Sequence, residues 1–423
     1  MKKGRMKLLI VVAIGTTIAT LNSGFKTSNK NPLDHRHVEV CGYKGCTFKT
    51  LFGEESSEGF EIHKNSENVA VSLSTGLKFL VEAQHNNGGW GAGSHSMQHI
   101  RDPHAVKADP ATTSMVGMAL IRNGNTLKKG EYSNQLNRAL EYLLKAVEET
   151  PENRLKITDQ SGTQIQTKLG DNIDAVLAAQ FFNNILGMED LETATKERVK
   201  ASLTECVRRI ESNQASDGST QGDGWAGVLQ SSFANQALEA AELNEIVVDT
   251  QKLKAAREFQ KRNYDSESGR VNTDRGAGVM LYSVSGSVRA SAKEAKRVKD
   301  LMDDAITQGA IENDTQVSEE VLEDLGLSKD EASRLVTSYN VYESAKDRAQ
   351  EDEVISGFGN DGGEEFMSFL QTGESIAIAG GDDWKEWYDK TAGRILSIQN
   401  KDGSWSGHHC ITSPVFCTAT CLL

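Results

Sequence analysis

Apolar residues recur at helical spacing through most of the chain after residue 68. A clear stretch places leucines at 136, 140, 143 and 144, followed by Val147. Similar segments begin at Val69, Val199 and Phe366. Intervals of three and four residues put apolar side chains on one helix face, and no stretch shows the alternation typical of strands. The pattern predicts an all-α body over residues 68–423.

Glycine-rich loops with a recurring composition separate the predicted helices. Three copies begin with a glutamine and contain a tryptophan; they run from Gln84 to Trp90, from Gln214 to Trp225, and from Gln399 through Asp402 to Trp405. A fourth glutamine, Gln260, lacks the tryptophan, and the spacings are multiples of roughly 46 residues. A helical hairpin of that size cannot bury both faces alone, so neighbouring hairpins must stack. The repeats predict a closed ring or a short solenoid.

Composition agrees with long helices joined by glycine loops. The 423 residues include only 5 prolines but 38 glycines, which suits helices because proline interrupts them and glycine ends them. The formal net charge of -14 makes nucleic acids and other polyanions poor partners.

The N-terminus carries the features of an export signal. Lysines and an arginine precede a 14-residue apolar run from Leu8 to Leu21, which is short for a membrane span. We predict that residues 1–23 are a signal peptide, or an anchor if they are not cleaved. The protein is then exported, to the periplasm or beyond the cell, and would contact a membrane only through this segment.

Residues 24–67 form a polar segment without a helical period, which predicts a small irregular N-terminal piece. Cys41 and Cys46 within it suit a local disulfide in an exported protein. The alternative is half of a metal site that also uses His35 and His37. A second departure from the repeat is 286–356, which we interpret as a charged helical elaboration of one hairpin.

The segment Gln399-x-x-Asp402-Gly-Ser-Trp405 resembles the repeat motif of the prenyltransferase and squalene-oxidocyclase family. The loops at Gln84 and Trp90, and at Gln214 and Trp225, are similar but degenerate. The resemblance implies an α/α toroid, a closed ring of about six helical hairpins whose inner helices enclose a central cavity. In such a motif the glutamine amide would cap the next helix, while the tryptophan ring would cover the loop.

The resemblance does not bring the family's activities with it. The chain lacks the Asp-x-Asp-Asp motif of class II terpene cyclases, the Asp-x-Cys of protein prenyltransferases and the thioester stretch of related proteins. Aromatic residues make up 6% of the chain, few for a cavity that holds carbocations. The acidic balance also disfavours the basic subsites of uronate lyases.

Two pairs of carboxylates are candidates for acid–base catalysis. Asp171 and Asp174 precede one strongly apolar helix, and Asp382 and Asp383 precede the helix that runs to Gln399. Carboxylates at a cavity mouth could serve as general acid and base. The other interpretation is helix capping, the ordinary use of Asp at such positions.

Histidines concentrate in the first and last glycine loops. His95 and His99 lie in the first, whereas His408, His409 and Cys410 lie in the last. In a closed ring these loops would be neighbours, and imidazole with thiolate is a typical ligand set for zinc. We therefore predict a zinc-like site at the seam. The alternative is solvated or hydrogen-bonded loop histidines, with Cys410 paired to another cysteine.

Two functions from different classes follow. The first is an exported toroid that binds a ligand in its central cavity, either apolar (isoprenoids come first, through the resemblance alone) or carbohydrate-like, with catalysis left open. The second is a non-catalytic scaffold of the cell envelope that contacts another envelope protein.

Overall fold

The computed structural model describes residues 66–188, 191–222, 224–359, 361–379 and 383–423. The predicted signal segment, the Cys41–Cys46 pair and Asp382 lie outside them. The helices are α1 (Glu67–Glu82), α2 (Pro110–Arg122), α3 (Ser133–Glu148), α4 (Gln164–Leu169), α5 (Ile173–Leu186), α6 (Thr193–Ser212), α7 (Gly227–Leu243), α8 (Thr250–Lys261), α9 (Met280–Thr307), α10 (Glu319–Asp324), α11 (Lys329–Gln350), α12 (Asp352–Ile355), α13 (Gly363–Ala379), α14 (Asp383–Ser397) and α15 (Pro414–Leu422).

Burial divides the long helices into two layers that alternate along the chain. One layer is amphipathic, with one buried stripe each, and comprises α1, α3, α6, α8, α11 and α14. The other layer is buried on nearly all sides and comprises α2, α5, α7, the first half of α9, α13 and α15. A helix that is covered all round belongs to the interior, so the second layer is the inner one. Because outer and inner helices alternate, all inner helices run in the same direction.

The inner helices close into a ring. Each packs on the next in chain order, and the last, α15, packs on the first, α2, as well as on the outer helix α1. Across the part of the chain that the structure describes, this arrangement comprises six outer–inner pairs. The predicted all-α toroid of about six hairpins is confirmed, and the short α15 is sufficient to complete the circle.

The elaboration expected at 286–356 is only partly separate from the ring. The first half of α9 is the fourth inner helix, and α11 packs along α9 as its outer partner. Beyond the ring, the second half of α9 forms a small satellite core with α10 and α11, built around Met302, Leu322 and Leu335. The satellite core begins at Val298, within the range of the predicted elaboration.

Strand structure is minimal in the described residues. Tyr264–Asp265 and Arg270–Val271 pair as a two-stranded antiparallel hairpin after α8. No helix there combines the length and the apolar character that crossing a bilayer requires. The four cysteines in the described residues are free, and Cys206 is fully buried.

The repeated glutamines join consecutive outer helices. Gln84 Nε2 donates to the carbonyls of Gly88 and Gln135, at 2.8 and 3.0 Å. Gln214 Nε2 bonds Gly218 O and Lys252 O in the same way, at 3.3 and 2.9 Å. The amide thus fixes its own loop and a carbonyl in the next outer helix. This corrects the expected role, because the glutamine does not cap free N–H groups.

The tryptophan position of the repeat is six residues after the glutamine. Trp90 Nε1 donates to Leu80 O at 2.6 Å, and Trp405 Nε1 donates to Ile395 O at 2.8 Å. Both indoles are buried. In the Gln214 copy the same position holds Thr220, whose N–H bonds Ser231 Oγ at 3.0 Å. Trp225, predicted to be the motif residue, is 59% exposed and has a different role.

Candidate functional site

The predicted catalytic aspartates do not form a site in the described residues. Asp171 has a 70% exposed side chain near Lys156, whereas Asp174 is buried and accepts hydrogen bonds from the N–H groups of Ile157 and Ala175 at 3.0 and 2.8 Å. Burial raises the pKa of Asp174 to about 7. Asp383 lies on the outer helix α14, where it pairs with Lys346 at 2.5 Å. These positions favour structural roles for all three.

The first and last loops do meet at the ring seam, as predicted. Arg101 donates to Gly407 O at 3.0 Å, and Thr412 Oγ1 donates to Gln98 O at 2.8 Å. The expected metal ligands are nevertheless not assembled. Among the described residues no group of three or more His, Cys, Asp or Glu side chains is placed to hold a metal ion.

The five predicted ligands instead have separate surroundings. His99 and His408 are exposed. His95 Nδ1 lies 2.5 Å from Gln98 Nε2, and the His409 ring meets the Phe358 ring edge-on at 4.9 Å between centroids. The structure therefore does not support the zinc-like site. Cys410 belongs instead to a different cluster of side chains.

That cluster lies where the inner helices begin, an end of the ring that we call the mouth. It combines side chains from α4, from the segment before α7, from the first turns of α9 and α13, and from the loop before α15. We call it the mouth cluster; its members are Lys168, Trp225, Tyr282, Glu364, Glu365 and Cys410.

Lys168 is the cationic member, and it is nearly inaccessible to solvent, at 2% exposure. Its ammonium nitrogen lies 3.4 Å from the centroid of the Trp225 ring, and its positive charge acts on the Cys410 thiol. A cation over an indole face is stabilised by the ring quadrupole. The Trp225 ring is 59% exposed, so part of its surface is accessible to solvent.

Two adjacent carboxylates begin α13. Glu365 Oε1 accepts from Tyr282 Oη at 2.7 Å and from Phe358 N at 3.2 Å, and Glu364 Oε2 accepts from Ile411 N at 3.3 Å. Burial, reinforced by the charge of Glu365, raises the pKa of Glu364 to about 7. Burial also raises the pKa of Glu365. A buried carboxyl whose pKa is close to neutral can donate or accept a proton at physiological pH.

Cys410 completes the cluster with an unusual backbone. Its φ is +67°, in the left-handed region that a residue with a side chain seldom adopts, and such conformations concentrate at functional sites. Burial raises the pKa of the Cys410 thiol to about 11; the Glu364 charge acts in the same direction and Lys168 opposes it. The thiol is therefore protonated near neutral pH.

Aromatic rings and histidines flank the mouth cluster on both sides. His95 meets the Trp225 ring edge-on at 5.8 Å, and burial, followed by the charge of Lys168, lowers the His95 pKa. On the other side Phe358 is 58% exposed and packs on His409. The seam histidines thus border the cluster through ring contacts.

Deeper in the ring, a carboxylate joins alternate inner helices. Glu374 of α13 accepts from Arg122 of α2 at 2.8 Å and from Gln236 of α7 at 3.4 Å. These are the fifth, first and third helices of the inner ring, so the contacts cross its interior. Glu364 and Glu374 are ten residues apart, or about 15 Å along a helix. These polar contacts therefore cross the interior about 15 Å from the level of Glu364.

Sequence reasoning missed most of the mouth cluster. Only Trp225 and Cys410 were singled out, and each for another role. Lys168 and Tyr282 lie in ordinary helical patterns, but the consecutive Glu364 and Glu365 at the start of an apolar helix are a visible signal. This pair of carboxylates could have been considered as a candidate site in the same way as the aspartate pairs.

Comparisons with known proteins assign this chain neither a family nor an activity. No family model matches the sequence, and no curated protein matches it either. Among solved structures, a type II terpene cyclase from Scytonema in complex with merosterolic acid A is similar, at 13% identity and a TM-score of 0.38. The alignment covers 84% of this chain and 95% of that chain. Similarity this low assigns no activity, and the toroid rests on the helix contacts described above.

Proposed function

We propose that this chain binds a carbohydrate-like ligand at the mouth of the toroid, with Glu364 placed to exchange a proton with it. The observation that carries the proposal is the juxtaposition of the exposed Trp225 ring with the buried Lys168 and Glu364 and the half-buried Cys410. Sugar rings pack on aromatic faces through their apolar C–H surface, while carboxylates and ammonium groups bond their hydroxyls.

The helix that carries Glu364 is not purely apolar. Its Gln371 Nε2, seven residues after Glu364, is buried without a hydrogen-bond partner. Leaving such an atom against a hydrocarbon chain would cost free energy. Water or a hydroxylated ligand satisfies it, which supports a polar occupant.

The position of Glu374 also limits how a ligand can enter. Its contacts with Arg122 and Gln236 cross the ring below the mouth. These contacts favour a ligand held between the mouth and Glu374, over a depth of about 15 Å. Acid–base catalysis would use Glu364 as proton donor and Glu365, held by Tyr282, as its partner.

The test is a fluorescence titration of the full chain with cellohexaose, xylohexaose and chitohexaose, with geranylgeraniol in parallel. The Trp225 indole is exposed, so an occupied mouth should change its emission. We expect at least one oligosaccharide to bind, Trp225→Ala to abolish the change, and Glu364→Gln to weaken binding.

The matched control is Trp384→Phe, because Trp384 stacks on Trp387 in α14, away from the mouth. This variant should keep the response. Binding of geranylgeraniol alone would overturn the proposal in favour of an isoprenoid ligand. If no probe binds and another envelope protein co-purifies stoichiometrically, the scaffold function replaces it.

A further inference from the structure

Two exposed aromatic rings border the mouth cluster. Trp225 is 59% exposed and Phe358 is 58% exposed, whereas every other Trp, Tyr and Phe side chain in the described residues is buried or half-buried. Single exposed apolar side chains are common on protein surfaces. These two, however, both lie shortly before an inner helix, α7 and α13, and therefore share the mouth face of the ring.

The main chain at Trp225 is attached to α4. Trp225 N donates to Thr167 O at 3.3 Å, and Ala226 N donates to Lys168 O at 2.7 Å. The indole in turn packs on the ammonium group of Lys168. The ring is therefore held at the mouth by the same short helix that supplies the cation of the cluster.

Phe358 is attached to α13 in a comparable way. Its N–H donates to Glu365 Oε1 at 3.2 Å, and its ring packs edge-on against His409. The preceding Gly357 has a φ of +56°, and a side chain there would place its first carbon 2.6 Å from Glu365 Cγ. Only glycine permits this close approach, so the turn that presents the Phe358 ring is built around the carboxylate.

The charged members of the mouth cluster lie along the contacts that connect the two rings. Lys168 packs on Trp225, and its charge acts on Glu364. Glu365, the next residue of α13, bonds the main chain of Phe358. No ring contact in the part of the chain that the structure describes joins Trp225 directly to Phe358. A ligand that packs on both rings would therefore span the charged side chains.

We infer that Phe358 is a second sugar-binding platform, and that the ligand is an oligosaccharide of several units lying across the mouth from Trp225 to Phe358. A single sugar unit packs on one aromatic face, while the hydroxyls of the intervening units match the carboxyl and ammonium groups. Two contacts made by one ligand strengthen each other, because the second forms intramolecularly. This inference rests on the function proposed for the mouth, and it adds the length of the ligand.

The experiment is isothermal titration of the full chain with cellobiose, xylobiose and chitobiose, and with the corresponding hexasaccharides. We expect the hexasaccharide that binds to do so at least about tenfold more tightly than its disaccharide. Phe358→Ala removes the ring but keeps the N–H that bonds Glu365. It should weaken the hexasaccharide about tenfold and the disaccharide, which needs only Trp225, less than about twofold. Phe358→Tyr, which keeps a ring, should retain the wild-type affinities.

The control is Val247→Ala, because Val247 is 90% exposed but lies between α7 and α8, at the opposite end of the ring. It should change neither affinity. Two results would overturn the Phe358 platform and leave the mouth site standing: equal affinity for disaccharide and hexasaccharide, or a hexasaccharide affinity that Trp225→Ala abolishes and Phe358→Ala leaves unchanged. Binding of no saccharide would overturn both proposals. The comparison of ligand lengths uses the wild-type chain, so it decides the question even if Phe358→Ala does not fold.

Discussion

The side-chain amide of Gln399 donates a hydrogen bond to the main-chain carbonyl of Ser72, 3.1 Å away. The two residues are 327 positions apart, yet the contact repeats the one that Gln84 makes with Gln135 and that Gln214 makes with Lys252. The last outer helix is therefore joined to the first in the same way as consecutive ones are. The ring therefore closes through the same glutamine-to-carbonyl hydrogen bond that joins consecutive repeats.

Removing this amide should destabilise the fold measurably. Gln399→Ala loses the bonds to Ser72 O and Gly403 O, and we expect a loss of about 1–2 kcal/mol in the free energy of unfolding. Urea denaturation followed by circular dichroism measures it. Gln251→Ala, at an exposed position of α8, is the control. Equal stability of the two variants would show that the seam bond contributes nothing.

The two kinds of tryptophan should respond differently to truncation. Trp405→Ala removes a 2% exposed indole that bonds Ile395 O, and we expect it to cost about 3–5 kcal/mol. Trp225→Ala removes an exposed ring and should cost about 1 kcal/mol or less, mainly the cation–π contact with Lys168. Urea midpoints of both variants test the assignment; a reversed order would refute it.

Glu364 should make stability fall as pH rises. Its pKa is raised from 4.5 to about 7 in the folded chain, so the folded state binds more protons than the unfolded state between those values. The free energy of unfolding then decreases through this window, by up to about 3 kcal/mol. Asp174, with its pKa also raised to about 7, contributes in the same direction.

Glu364→Gln should therefore gain stability relative to the wild-type chain at pH 8 but not at pH 4. Glu353→Gln, at an exposed position of α12, should show no such difference. Denaturant titrations at the two pH values provide the comparison. A gap between Glu364→Gln and wild type that does not change with pH would mean that Glu364 ionises normally.

The seam histidines should not determine the metal content of the protein. Since no group of metal ligands is assembled in the described residues, we expect His95→Ala/His409→Ala to carry as much zinc, iron and copper as the wild-type chain. Mass spectrometry of unchelated protein measures this. One zinc per wild-type chain that disappears in the double variant would restore the seam site.

The sequence predicted the ring better than the site, for a physical reason. Helical periodicity and the glutamine loops are local signals, and the contacts of Gln84 and Gln399 follow directly from them. The mouth cluster depends on five segments that meet only after the ring has closed. No local sequence pattern distinguishes Lys168 or Tyr282 from other residues of their helices. Trp225 was assigned to the repeat motif, whereas Thr220 occupies that position.

Hydrogen exchange by mass spectrometry, with and without the tightest-binding of the three oligosaccharides, tests the mouth site most directly. We predict that bound oligosaccharide slows hydrogen exchange together in the five segments that supply the mouth cluster and its surroundings. These segments are 163–169, 224–228, 280–284, 357–366 and 407–413. Glu364→Gln should reduce this protection in all of them. Protection confined to other segments, or none at saturating oligosaccharide, would contradict a ligand site at the mouth.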